Sequence, residues 1–383
     1  MTLKNDGSRV IFYAVGDIGL HGKVAEAIKR EGPDYPFLHV APFLRKGDIV
    51  FGNLEKPFKI SDKGQYFLYQ SKKSWAVPDG VKGLVYSNFS LLSLANNHIL
   101  DCGPEGLEET ISLLKSYNIA TVGAGANLNE ARRPVILTIK GITIGFLVYA
   151  EITEQTASTE KAGAAPFNEE IIYEDLSVLK PQVDVVIVSL HFGLMYTDYP
   201  RISDQKILRR IIDHGAKLVL GHHPHVLQGI EYYKKGIIVY SLGEFIYDPA
   251  AGNVYARTAR EKRRESIIFT CLIRKEGIVE VKPVPVLSNS NLQPEIQTGR
   301  TGEEILKRLH TLSDVLWDDR LQKVDYYRQV ASSVLPHKMD VFRFHIKKGN
   351  IGYLFSKLLR IRLFHFRLLL AFISNKLHGY RSD

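Results

Sequence analysis

Residues 184–191 read DVVIVSLH, and residues 217–225 read KLVLGHHPH. Each carries a continuously apolar run of strand length and ends in imidazole. A strand that is apolar on both faces must be covered on both faces, which is the condition of a largely parallel sheet flanked by helices. Working outward, similar runs recur at Val10–Val15, Asp48–Gly52, Phe89–Leu94, Ile119–Val122, Val135–Ile139, Thr143–Tyr149, Gly236–Tyr240 and Ser266–Ile273. Between several of them the apolar period lengthens to that of a helix, over Pro104–Tyr117, Glu169–Leu179 and Ile202–His214. Such alternation is the pattern of an α/β fold. Lys140-Gly141, Lys235-Gly236 and Glu276-Gly277 read as hairpin turns, so the sheets are expected to be mixed.

The 383-residue chain is 45% apolar and 24% charged, an ordinary globular balance that excludes a disordered or fibrous class. Its two cysteines cannot build a disulfide framework or a thiolate zinc site. The net charge of +9 is unevenly placed. Residues 341–383 hold nine Lys/Arg against Asp383 alone, so 1–340 carries 41 basic and 40 acidic side chains. A nearly neutral body gives no reason to expect nucleic acid as a partner. The first strand follows the N-terminus too closely for a signal peptide or anchor, and a cytoplasmic location is expected.

Three segments are expected: a body over 1–297, a helical extension over 298–340, and a basic tail over 341–383. The body is expected to close in a loop at Pro285–Gln297, with helices at Glu303–Leu312 and Asp314–Val334. In the tail, Leu, Phe and Ile alternate with Arg and Lys, and the uncharged run Leu368–Asn375 is far short of the ~20 residues that span a bilayer. Two readings fit it: peripheral contact with a membrane surface, or docking on the body or a second subunit.

Acidic, amide and imidazole side chains gather at the ends of the expected strands. Asp17 follows FYAVG, Asn53 and Glu55 follow DIVFG, and Asn96, Asn97, His98 and Asp101 follow LLSLA. His191 follows VVIVSL, and His222, His223 and His225 follow KLVLG. In open α/β sheets, ligands collect beyond the carboxyl ends of strands. One Asp there is usually a turn or helix cap, and a lone His is often a core residue with its bonds satisfied. Three imidazoles in four positions after a buried strand are harder to explain without a ligand. Carboxylates, an amide oxygen and neutral imidazoles together suit paired Mn, Fe or Zn ions.

GDIGL, GNLEKP, SLANNHILDCGPEGLEET, VSLHFG, GHHPHVLQGIEYYKKGIIVYSLGEFIYD and RESIIF, in that order, resemble the motifs of the CapA family. These are bacterial capsule and poly-γ-glutamate synthesis proteins, similar to calcineurin-like metallophosphoesterases. The resemblance covers residues 9 to 285. It implies a four-layer α/β/β/α sandwich with two divalent metal ions between its sheets. On it, Asp17 holds the first metal and Glu55 bridges. Asn97 and His191 join the second, His223 and His225 form the closing pair, and His222 is an uncertain member. His98 takes the place of a general acid, with Asn53 and Asp101 orienting the ligands. Two positions depart from the family. Met195 stands where a Glu is usual, and Glu244 stands where an Asn is usual, adding a charge that compensates if both face one cleft.

Two functions follow as expectations. One is a metal-dependent hydrolase in which metal-held water attacks a phosphoester or a bond of an anionic polymer and His98 protonates the leaving group. The alternative is a non-catalytic polymer-handling or export/assembly factor in which metal is structural.

Overall fold

The computed structural model describes residues 8–60, 75–151, 154–248 and 261–318. Two sheets face each other. In the first, β1 (Val10–Ile18), β2 (Ile49–Leu54), β3 (Leu91–Ser93) and β4 (Ala120–Val122) run parallel. On the other side of β1, β14 (Glu265–Arg274), β15 (Gly277–Ser288) and β16 (Pro294–Ile296) continue the sheet antiparallel. The short β13 (Glu244–Ile246) pairs in parallel with the end of β1. The second sheet has a parallel centre of β7 (Ile142–Ala150), β9 (Val185–His191), β10 (Leu218–His222) and β12 (Gly236–Val239). Antiparallel strands β6 (Val135–Ile139) and β11 (Ile230–Tyr233) close its edges. A small ladder joins β5 (Ala124–Gly125) to β8 (Gly163–Ala164).

The side-chain parity of the central strands explains the layers. On β7 and β9, Ile144, Phe146, Val148, Val185 and Ile187 join the core between the sheets. Their alternates Leu147, Tyr149, Val186 and Val188 meet Ile172, Leu176, Leu208 and Ile211 of helices α6 (Glu169–Leu179) and α7 (Ile202–Asp213). Both faces are therefore dry, and each buried side chain of this size contributes roughly 1.5–3 kcal/mol. Between the sheets, the rings of Phe12 and Phe51 lie 6.0 and 6.3 Å from that of Phe146.

On the far face of the first sheet, Tyr13 stacks on Phe43 of α2 (Ala41–Leu44), and α1 (Gly22–Glu31), α3 (Gly80–Tyr86) and α4 (Gly103–Ser116) bury their apolar stripes. The result is the four-layer α/β/β/α sandwich that the resemblance implies. One four-residue helix, α5 (Leu128–Ala131), precedes β6.

The expected loop at Pro285–Gln297 is only partly a loop. Pairing in the first sheet continues through Ser288 and resumes at Pro294–Ile296, leaving Asn289–Gln293 to turn the chain. Pro283 and Pro285 disguise β15 as loop in the sequence. They are tolerated because β16 pairs only with Val286–Ser288, and beyond it Gln297 asks Pro285 for its carbonyl alone, at 2.9 Å, and not for an amide proton. Helix α8 (Gly299–Asp314) starts earlier than the expected Glu303 and buries Ile305, Leu309 and Leu312 in the inter-sheet cluster. Its Ser313 Oγ accepts the edge amide of Ile230 at 2.9 Å. A 3-10 turn, Val315–Trp317, follows. The rest of the expected helix to Val334, and the tail 341–383, lie outside the described residues. Among those described, no helix is long and apolar enough to cross a membrane.

Candidate metal centre

A bulge aims the first ligand. From Ala14 to Asp17 β1 advances three residues while β2 advances two, from Phe51 to Asn53. Without the bulge, in an even strand of the same sequence, Asp17 would share the parity of Tyr13 and Val15, which face the helices. With it, Asp17 points inward beside Asn53. On the opposite sheet His191 and His222 are direct register partners with the inward parity of Ile187 and Leu220. The strand ends thus bring acids from one sheet against imidazoles from the other.

Two donor groups result, and they share one residue. Asp17, Glu55 and His225 form the first, and Glu55, His191 and His223 the second; within each group the donor atoms lie within 4.8 Å of one another. Glu55 Oε1 is 3.5 Å from His225 Nε2 and 3.9 Å from His191 Nε2. Asn97 Oδ1 is 2.8 Å and His223 Nδ1 3.0 Å from His191 Nε2, so the amide oxygen adds a donor to the second group. Asn53 Nδ2 donates to Asp17 Oδ1 at 2.8 Å and lies 3.2 Å from His191 Nδ1, tying the groups together from behind. His222 stands 3.3 Å from the same Asp17 oxygen, leaving Oδ2 to face the first group. Asn96 bonds Leu54 O at 2.8 Å and accepts the His98 amide at 3.0 Å, which pins the Glu55 turn to the His98 turn.

These residues fit divalent cations and fit little else. Glu55 is fully buried, yet neither of its carboxylate oxygens has a hydrogen-bond partner among the described residues. Among the described residues, neither ring nitrogen of His222 nor Nδ1 of His225 has a partner at hydrogen-bond geometry, although carboxylate oxygens stand within 3.4 Å of both Nδ1 atoms. Burying a carboxylate without donors costs several kcal/mol, on the order of magnitude that a bound cation offsets. His223 and His225 have φ of 95° and 60°, left-handed values that non-glycine residues rarely adopt and that mark strain held for a purpose.

The local electrostatics agree. Burial alone would raise the Asp17 carboxyl, but the His222 imidazole 3.3 Å away and the charges of His225, His222 and His191 hold it well below the usual range. Burial and the charge of His225 push His223 down to about 3, and burial with His223 holds His191 well below its ordinary value. Both rings are therefore neutral at pH 7, the state in which an imidazole can ligate a metal. His225 goes the other way: burial opposes its charge, but Glu55, Glu244 and Asp17 push it up to about 9.

His98 borders this cluster and a cavity of about 990 Å3 whose lining includes Asn97, Glu151, Lys161, Phe167 and Arg201. Its Nδ1 is 2.8 Å from Asp101 Oδ2 and its Nε2 is 4.0 Å from Glu55 Oε1. Lys56, almost fully buried, stands 3.7 Å from that Asp101 oxygen. Sequence reasoning passed over Lys56 and also His21. The latter is buried with an unpartnered Nδ1, and a Cβ at Gly19 would lie 2.8 Å from that atom. Met195 is half-buried beside Leu194 and belongs to neither donor group. Glu244 does face the cluster, in register with Asp17, but Arg263 Nε and Nη2 occupy its Oε1 at 2.9 and 2.5 Å. Its charge is thus already matched by Arg263. Arg263 lies within the RRES stretch just before β14, and only the pairing of β14 with β1 brings it here.

Residues 11–249 match the family described as "Bacterial capsule synthesis protein PGA_cap". A capsule biosynthesis protein CapA of Bacillus anthracis is 30% identical over 331 residues, covering 83% of this chain and 78% of its own. A PGA biosynthesis protein CapA of Bacillus subtilis is 32% identical over 301 residues, covering 74% and 75%. A solved phosphatase from Mycoplasma pneumoniae aligns with 73% of this chain and 94% of its own at 12% identity, TM-score 0.46, too slight a likeness to bear on chemistry.

Proposed function

The chain belongs to the bacterial capsule synthesis protein PGA_cap family, and on that premise we propose that it acts in surface-polymer biosynthesis as a two-metal hydrolase. The observation that carries this reading is Glu55, a buried carboxylate common to both donor groups with no hydrogen-bond partner on either oxygen among the described residues. Asp17, Glu55 and His225 would hold one ion, and Glu55, Asn97, His191 and His223 the other. Such ions, of the Mn, Fe or Zn class, supply Lewis acidity and activate water at neutral pH.

His98 does the proton work. Asp101 Oδ2, 2.8 Å from Nδ1, orients the ring so that Nε2 faces the cavity side and can release a proton to a leaving oxygen there. Lys56 offsets part of the Asp101 charge from the protein side. The cavity gives the substrate its seat. Lys161, bonded to the Glu154 carbonyl at 2.7 Å, presents a cation there, and Arg201 is held in place by Glu151 and Asp204. An anionic polymer segment or a phosphoester fits that lining, and the basic tail 341–383 supplies contact with an anionic surface.

Met195 favours a second reading: without the acid expected at that position, the centre would serve as a structural metal site in a polymer-handling or assembly factor. One experiment separates the two. Metal content is measured on chain purified without chelator, and bis-p-nitrophenyl phosphate hydrolysis is followed in added Mn. Turnover that vanishes in His98→Ala while metal stays supports the hydrolase. Metal without turnover on phosphoesters or on an anionic polymer supports the assembly factor.

A further inference from the structure

Glu244 and Arg263 form a built pair beside the first donor group. Gly16 makes the approach possible: a Cβ there would lie 1.9 Å from Gly243 O, so only glycine lets β13 close against β1. Glu244 then sits in register with Asp17, on the same side of the sheet. Its Oε1 accepts from Arg263 Nε and Nη2 and lies 3.2 Å from His225 Nδ1. All three side chains are buried, with Arg263 only 2% exposed, so neither charge is screened by water.

The imidazole of His225 has two carboxylate oxygens near its Nδ1, neither of them at hydrogen-bond geometry before a metal draws the ring into place. Asp17 Oδ2 is 3.4 Å from that nitrogen, against 3.2 Å for Glu244 Oε1. If Nδ1 bonded to Asp17, it would occupy the oxygen that the first ion needs. If it turns to Glu244, Asp17 Oδ2 keeps only the His223 amide, at 3.3 Å, and Nε2 is directed toward Glu55, 3.5 Å away. A carboxylate on the far nitrogen of a ligating histidine fixes its tautomer and its direction. Here the left-handed backbone at His225 adds a second reason for an anchor, because strain in the chain would otherwise be relieved by moving the ring.

We infer that Glu244, clamped by Arg263, is the positioning residue that turns His225 Nε2 toward the first ion and so sets the affinity of that position alone. The inference rests on the reading above that Asp17, Glu55 and His225 hold an ion. It is tested on the full chain by zinc titration against a competing chelator, which resolves two affinities and their ratio. Glu244→Ala is expected to weaken one ion by about 10–100-fold while the other stays within about twofold, so the ratio shifts. Glu244→Gln keeps an acceptor oxygen and is expected to lose less; it also carries the test should the alanine variant fail to fold. Arg263→Gln, which unclamps the carboxylate, is expected to weaken the same ion. Unchanged affinities in these variants, or an equal fall in both, would overturn the positioning role while leaving the two-ion reading intact. A natural chain that takes up no zinc would overturn the functional reading itself.

Discussion

Glu55→Gln separates a shared metal ligand from an ordinary buried acid. In the metal-free chain two effects oppose each other. Losing the charge forfeits attraction to His225 at 3.5 Å, about 5 kcal/mol at an effective dielectric of about 20. It also removes a carboxylate with two unbonded oxygens, whose burial costs several kcal/mol. These nearly cancel, so the metal-free melting temperature is expected to stay within about 3 °C of the natural chain, given about 2–4 °C per kcal/mol. The difference emerges when metal is added. At free metal about 100-fold above Kd, one ion stabilises the natural chain by about 2.7 kcal/mol. That corresponds to a rise of about 5–10 °C by differential scanning fluorimetry. In Glu55→Gln both positions lose a ligand, and the rise should shrink to about 1 °C or less at the same Mn or Zn concentration. A metal-induced rise equal to that of the natural chain would refute the shared-ligand geometry.

Other consequences can be checked more briefly. His98→Ala should keep both ions by mass spectrometry and lose about 10²–10⁴-fold in turnover, since His98 belongs to neither donor group. The folded pKa of His225, about 9, lies above its ordinary 6.5, so its protonation stabilises the metal-free chain fully below about pH 6.5 and is lost as pH rises through about 9. The metal-free chain should therefore lose stability between pH 7 and 9.5, by an amount on the order of 3 kcal/mol and read as a falling melting temperature, while zinc affinity by chelator competition rises over the same range as the competing proton leaves. Burial pushes the Cys102 thiol up to about 12 and raises Cys271 as well. Native chain should accordingly give almost no reaction with a thiol reagent at pH 8, and two equivalents after denaturation.

The sequence was most readable where a local rule decides the structure. DVVIVSLH is apolar on both faces because it has a core on one side and α6 and α7 on the other. The bounds of α6 could be read directly, since Asn168 caps it through the Ile171 amide and the apolar period runs unbroken to Leu179. The strand-end acids and imidazoles were visible for a similar reason: polar groups that interrupt dry strands stand out in a chain otherwise ordered by hydropathy. What could not be read depended on distant pairing. Nothing near Glu244 announces that Arg263 will neutralise it, because their meeting depends on β13 and β14 both joining the β1 side of one sheet. Nothing in GNLEKP marks Lys56 as buried, yet only 5% of it is exposed. The prolines of β15 carried a true local signal, overruled by a neighbour too short to need their amides.

The added residue in β1 frees the centre from a strict count. Removing residue 15 or 16 would make β1 and β2 advance two residues each between Ala14 and Asp17, which restores even pairing and leaves the carboxylate inward beside Asn53. Relatives can therefore carry either spacing between Phe12 and Asp17 and keep the same side chain in the cleft, one through a bulge and the other through an even strand. A comparison that reads strand parity from this chain's sequence alone would assign Asp17 to the helical layer and discard it. For sorting relatives, the partner that the carboxylate meets across the sheet is thus more informative than the number of residues before it.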